Sequence, residues 1–198
     1  MGKGENTRSM ILDAALAQAS EGGFESLTIG TLAARTGLSK SGLFAHFGSR
    51  EELQIAAIDR AAERFAETVF APALQAPRGL PRVRAIFEHW LQWTDDSGLA
   101  YGCPLHAAAI EFDDRPGPVR ERLVAHFDRL QRNLERALDL AVAEGQLPAG
   151  SDVAQLAFEA LGIVFAYYHG ARLLRRPEAA VRARAAFDRL LSAATAAA

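Results

Sequence analysis

Apolar residues recur along this chain at spacings of three and four, and runs of β-branched residues alternating with period two are missing. The pattern predicts an all-α fold. Its first amphipathic segment spans about Thr7 to Ser20, with Ile11, Ala14, Ala15 and Leu16 toward a core and Gly22-Gly23 as the stop. Phe24 then returns as an apolar anchor. A short helix after Thr28 places Ile29, Leu32 and Ala33 on one face, and Gly37 ends it. Ser39 can cap a third helix in which Leu43 and Phe47 repeat one turn apart. Ser49 and Glu52 read as a capping box for a fourth, running through Leu53, Ile55, Ile58, Phe65 and Val69 until Pro72 and Pro77 break the pattern. Further helices are expected near 82–95, 104–112, 119–144, 153–174 and 179–194, separated by Gly98, Pro116-Gly117-Pro118, 145–150 and Pro177.

The segment from Thr28 to Arg50 carries the most information. Two short helices joined by Gly37-Leu38-Ser39 have the layout of a helix-turn-helix, whose second helix can reach base edges. The turn needs a residue tolerant of positive φ, and Gly37 supplies it. Leu32, Ala33, Leu38, Leu43 and Phe47 would form the small core, leaving Ser39, Lys40, Ser41, Gly42 and His46 outward. No Asp or Glu lies between Ser26 and Arg50, whereas Arg35, Lys40 and Arg50 are basic, which suits approach to phosphates. Charge alone does not decide the matter, because 68–87 is also acid-free and carries Arg78, Arg82 and Arg84. From pattern alone, DNA binding and plain helix packing both stay open.

Composition narrows the other classes. With 49% hydrophobic and 23% charged residues the chain is globular, and its net charge of -2 supplies no global field for nucleic acid. Any positive surface must be local. The single cysteine, Cys103, excludes an internal disulfide and a cysteine cluster, and fits a cytoplasmic location. No signal peptide is visible, and the most apolar stretch, 156–174, is interrupted by Glu159, His169 and Arg172, so no membrane partner is expected. No Gly-x-Ser-x-Gly elbow occurs, and the glycines at 37 and 42 are followed by Leu43-Phe44 instead of Lys-Ser/Thr. The chain is therefore not expected to be an enzyme, and no cofactor is implied. Cys103 and His106 could share a helix face as a metal or thiol sensor, but zinc wants four ligands and His89, His126 and His169 lack the spacing. Cys103 reads better as a buried small hydrophobe, and no metal site is expected.

Residues Met10 to Ile58 resemble the N-terminal domain of the tetracycline-repressor (TetR) family. The resemblance is carried by Ile11-Leu12-Asp13-Ala14-Ala15-Leu16, Gly23-Phe24, Thr28-Ile29, Leu32-Ala33, Gly37-Leu38-Ser39, Leu43-Phe44, His46-Phe47 and Arg50-Glu51-Glu52-Leu53. It implies that the helix from Ser39 to Phe47 enters the major groove of double-stranded operator DNA. Lys40, Ser41 and Gly42 then fall where family members approach bases, and Thr28, Phe44, His46 and Arg50 where they hold the phosphate backbone. Two positions depart from the family pattern: Phe44 replaces tyrosine, and Arg50 replaces lysine. Without the hydroxyl, Phe44 is expected to pack in the core.

The resemblance further implies a helix-turn-helix domain over 1–60 and a helical effector-binding and dimerisation domain over 61–198. The implied activity is that of a transcriptional regulator, a repressor released by a small apolar or aromatic ligand. The alternative is a helical ligand-binding or interaction protein that has lost DNA binding. The second part of the chain is rich in aromatics, Tyr101 among them, and Phe87, Trp90, Trp93, Phe112, Phe127 and Phe165 are the candidate effector contacts. Gly102-Cys103-Pro104-Leu105-His106 and 111–118 resemble a C-terminal variant found in some such regulators. Leu161, Val164, Phe165, Tyr168, Phe187, Leu190 and Leu191 are the candidate homodimer contacts, with burial inside one subunit as the alternative.

Overall fold

The computed structural model describes residues 3–96, 98–99 and 102–196, and every regular element among them is helical. Tyr101 lies outside the described residues. Helix α1 spans Lys3–Gly22 and stops at Gly23, whose φ of 77° is a conformation that only glycine adopts without strain. A single 3-10 turn, Phe24–Ser26, leads to α2 (Ile29–Thr36) and α3 (Lys40–Phe47). Then come α4 (Arg50–Phe65), a π-helical turn (Ala66–Phe70) and the short α5 (Ala71–Ala73). Pro72 does not break the helical run where the sequence pattern stops. It sits in the first turn of α5, directly after the π-helical turn, and the helix ends one residue beyond it at Ala73. Helices α6 (Leu80–Asp96), α7 (Pro104–Phe112), α8 (Pro118–Ala143), α9 (Val153–Tyr168) and α10 (Ala179–Ala196) complete the chain. The expected helix to 174 gives way after Tyr168 to a π-helical turn, His169–Leu173.

Contacts group the chain into two compact units, one reaching to Ala66 and taking in Thr94–Phe127, the other formed by Glu67–Trp93 and the residues from Asp128 on. The division near residue 60 expected from the sequence separates a helix-turn-helix part from a helical body, whereas contacts group α7 with the first part. Periodicity could not show that α7 folds back onto α1 and α4.

In the first unit α1 packs on α2, α4 and α7, and α3 packs on α2 and α4. Ile11, Leu16, Phe24, Leu27, Leu32, Leu43, Leu53 and Ile58 are wholly enclosed. Each such side chain contributes about 1.5–3 kcal/mol by leaving water. Gln54 is a buried polar residue of this core, and its Nε2 donates to the Phe24 carbonyl at 2.8 Å. In the second unit the rings of Phe87 and Phe187 stack at 3.9 Å, joining α6 to α10. Arg184 grips both oxygens of Glu88 at 2.8–2.9 Å, and Arg84 pairs with Asp188. The Tyr167 hydroxyl donates to the Leu91 carbonyl at 3.0 Å, which ties α9 to α6.

Candidate nucleic-acid interface

Local chemistry fixes both short helices of the first unit. Thr28 opens α2 with a reciprocal cap: its Oγ1 accepts from the Thr31 N–H at 3.0 Å, and Thr31 Oγ1 accepts from the Thr28 N–H at 3.1 Å. Such a cap is worth about 1 kcal/mol. Of the capping box expected at Ser49 and Glu52 the structure gives the forward half, with the Glu52 N–H donating to Ser49 Oγ at 3.0 Å. Gly37 closes α2 in the left-handed conformation, with φ 70° and ψ 12°, and its N–H donates to Ala33 O. Ser39 Oγ accepts from the Gly42 N–H at 3.1 Å and opens α3. The turn chemistry read from the sequence is the turn chemistry observed.

Leu43 and Phe47 are the buried side of α3, and Leu32 and Ala33 that of α2, while Leu38 is half-buried. Ser39, Lys40, Ser41 and Gly42 are exposed, and His46 is half-buried beside the Phe47 ring. Phe44 departs from the core packing expected of it. It is 54% exposed instead of packed in the core. Leu43 and Phe47 already take the inward face, and the next residue along a 3.6-residue helix points about 100° away from Leu43, on the side of Lys40 and Ser41.

The charge of this surface is smaller than the sequence suggests. Arg35 is hydrogen-bonded to both oxygens of Glu21 at 2.8 and 2.9 Å, which holds that carboxyl below its usual range. Arg50 donates to the Leu27 carbonyl at 2.9 Å, to the Glu25 carbonyl at 2.5 Å and to Glu25 Oε2 at 3.1 Å. The acid-free stretch thus receives two acids from just upstream of it. Lys40 makes no ion pair among the described residues and lies over Gly30, where an added Cβ would come within 3.7 Å of its Cε. Arg8 carries no signal in the sequence, because its partner Phe47 lies far along the chain and comes near it only through folding. Helix α1 starts at Lys3 and sets Arg8 over the Phe47 ring, 5.0 Å from its centroid, at the exit of α3.

The six aromatic effector candidates separate. Phe112 and Phe127 belong to the first unit; Phe87, Trp90, Trp93 and Phe165 belong to the second. Phe87 and Trp90 line one apolar cavity of that unit together with Val83, Leu138, Val164 and Phe187, whereas Trp93 is wholly enclosed elsewhere in the core. The cavity's free volume is about 10 Å³, barely room for one water. Phe112 is buried with the Arg115 guanidinium over its ring, 5.8 Å from its centroid. Cys103 is half-buried at the start of α7, and burial lowers the pKa of the neighbouring His106.

A capped α2, a left-handed glycine turn and an α3 that exposes small polar and basic residues are the parts of a helix-turn-helix. Residues 11–57 match the bacterial regulatory proteins of the tetR family, and residues 79–187 match the tetracyclin repressor-like C-terminal domain. The second match spans more than half of the chain, which therefore belongs to the TetR family of transcriptional regulators and carries its DNA-binding domain at the N-terminus. Solved structures share the fold. A TetR-family regulator from Cytophaga hutchinsonii superposes with a TM-score of 0.85 at 18% identity, over 98% of each chain. One from Chloroflexus aurantiacus gives 0.76 at 29% identity, over 97% of this chain and 96% of that one. AibR, solved with isovaleryl coenzyme A and operator DNA, gives 0.65 at 24% identity over 81% of this chain and 85% of its own. No curated protein sequence matches the chain significantly.

Proposed function

We propose that this chain is a homodimeric repressor that holds operator DNA through α3 and is released by a small apolar or aromatic ligand. The observation that carries the reading is the outward side of α3, where Lys40, Ser41, Gly42 and Phe44 stand exposed directly after a capped, left-handed turn. Lys40, Ser41 and Gly42 meet base edges in the major groove. Thr28, Ser39, His46 and Arg50 meet phosphates, and Phe44 makes an apolar contact beside them. A dimer follows from operator geometry, since helix-turn-helix proteins read two half-sites about 34–36 Å apart.

The dimer face draws on only part of the residues expected from sequence. Val164, Tyr168, Phe187 and Leu191 are buried within one subunit, so they serve its own core. Phe165 is partly exposed, and Phe158 and Val181 are 66% and 67% exposed. These supply the self-complementary surface of α9 and α10 that a two-fold axis needs. The effector occupies the apolar interior around Phe87 and Trp90, which must open to admit it. AibR, with an acyl thioester ligand and operator DNA in one structure, is a precedent for such a pairing. The described helices include none long and apolar enough to cross a membrane, and a cytoplasmic site of action fits an operator-binding protein.

Selection of binding sites from random duplex DNA tests the reading. A repressor yields a palindromic consensus whose half-sites lie one helical turn or a multiple apart. A chain that enriches no sequence, yet is stabilised by apolar compounds, is instead a ligand-binding protein without DNA function.

A further inference from the structure

The segment 23–27 leads from α1 into the helix-turn-helix, and it is held from two sides. On one side α4 contributes Gln54, bonded to the Phe24 carbonyl, and Arg50, bonded to the carbonyls of Glu25 and Leu27. On the other side stands Glu111, near the end of α7. Its Oε2 accepts the Phe24 N–H at 2.8 Å and its Oε1 accepts the Glu25 N–H at 2.6 Å. Arg115 follows it, with Nη1 3.5 Å from Glu25 Oε1. The two N–H groups open the 3-10 turn, where donors lack partners within the helix and a carboxylate is the matching acceptor. Gly23 leaves the approach clear, because a Cβ there would lie 3.0 Å from Glu111 Oε2.

The turn is in turn fastened to α1 and α2. The Ser26 carbonyl accepts from Gln18 Nε2 at 2.9 Å and from Thr31 Oγ1 at 3.2 Å, and Thr31 is part of the α2 cap. Helix α2 packs on α3. A displacement of the N–H pair at 24–25 therefore reaches α2 through short, directional bonds and α3 through the packing of α2 against it.

Gly23, Phe24 and Glu25 fall in the stretch matched by the DNA-binding family model, and Glu111 falls in the stretch matched by the C-terminal one. We propose that Glu111 is a positioning residue for DNA recognition: by accepting both N–H groups it sets the orientation of α2 and α3, and it makes the placement of α7 legible at the recognition helix. The inference rests on the DNA-binding function proposed above. It also gives a role to the 111–118 motif that DNA contact leaves unused.

The test compares the intact parent with Glu111→Gln and Glu111→Ala. Each is titrated by fluorescence anisotropy with a duplex from the selected consensus and with a scrambled duplex of equal length. Amide exchange at Phe24 and Glu25 is followed in the same samples. A glutamine offers one oxygen to two donors and turns its NH₂ toward the other. The expected result is an affinity loss of about tenfold on the consensus duplex, little change on the scrambled one, and faster exchange at both amides. In the parent, bound consensus DNA slows exchange at the same two amides, a readout that needs no variant. Equal losses on both duplexes, unchanged consensus affinity in both variants, or parent amides indifferent to DNA overturn the inference alone. A parent that does not distinguish the duplexes overturns the DNA-binding reading, and this inference with it.

Discussion

Arg50 Nε donates to the Leu27 carbonyl at 2.9 Å, so the first residue of α4 holds the last residue before the Thr28 cap. Its guanidinium reaches Glu25 as well. A side chain that would meet phosphate is thus already engaged in the fold. Arg50→Ala is expected to lose about 1–2 kcal/mol of stability, the worth of hydrogen bonds to a half-exposed charged group, and also to weaken DNA binding. Arg50→Lys keeps the charge but loses the fork, so it should restore the salt dependence of binding more fully than the stability. Urea melts and salt titrations of both variants decide. An Arg50→Ala protein that melts like the parent would make the Leu27 and Glu25 bonds incidental.

Lys40 tests base contact as distinct from phosphate contact. Replacing it with alanine should cost about 1–3 kcal/mol on the consensus duplex and relax preference at one position of each half-site. Repeating the site selection with the variant reads this directly. An unchanged consensus would place Lys40 on the backbone instead.

Much of the fold was legible because its signals are local. Gly37 in the left-handed turn, Ser39 as a cap, and the pairing of Leu43 with Phe47 each depend on a few neighbouring residues. What escaped depends on chain folding back over long distances. Glu21 and Glu25 neutralise arginines of a stretch that reads as acid-free, and Glu111 meets residues far upstream of it. Phe44 escaped for another reason. An aromatic residue next to core positions reads as core, and only the helical phase around Leu43 and Phe47 places it outside. The aromatic richness of the second part reads as a pocket, yet the second unit spends Trp93 and the Phe87–Phe187 stack on its own interior.

That stack supplies a prediction about the second unit. Phe87→Ala removes one ring from the join of α6 and α10 and should destabilise the protein by about 3–5 kcal/mol, the usual cost of an aromatic-sized hole. Because the lining is apolar, the enlarged cavity should bind benzene-sized compounds. Calorimetry with and without such a compound checks both parts. A variant as stable as the parent would mean that the rings contribute little beyond their contact.

The dimer face is tested at its exposed positions. Phe158→Asp combined with Val181→Asp leaves the subunit core intact but sets unpaired charges where two subunits would meet. Light scattering should show folded monomers, with operator affinity reduced because one half-site contact is lost. A variant that remains a dimer at micromolar concentration would place the interface elsewhere.

His106 gives a pH dependence of defined sign. Burial lowers its pKa in the folded state, so below the ordinary histidine value of about 6.5 the unfolded chain binds more protons than the folded one. Stability therefore falls as pH drops below about 6.5, and the loss stops growing once the folded-state pKa has been passed. Replacing His106 by glutamine should flatten that part of the profile. Denaturant melts between pH 7.5 and 5 show whether it does, and parallel profiles for parent and variant would remove His106 as the cause.

Sequence-specific DNA binding through α3 is tested most directly by one titration. Anisotropy of the intact protein on its selected consensus duplex should give a Kd of about 10⁻⁸ M or tighter near physiological salt, at least about 10³-fold tighter than on a scrambled duplex. Serine-to-alanine replacement at the exposed Ser41, beside Lys40→Ala, should narrow that ratio without unfolding the domain. Equal affinity for the two duplexes, or a ratio indifferent to both replacements, would contradict the assignment of α3 as the recognition helix.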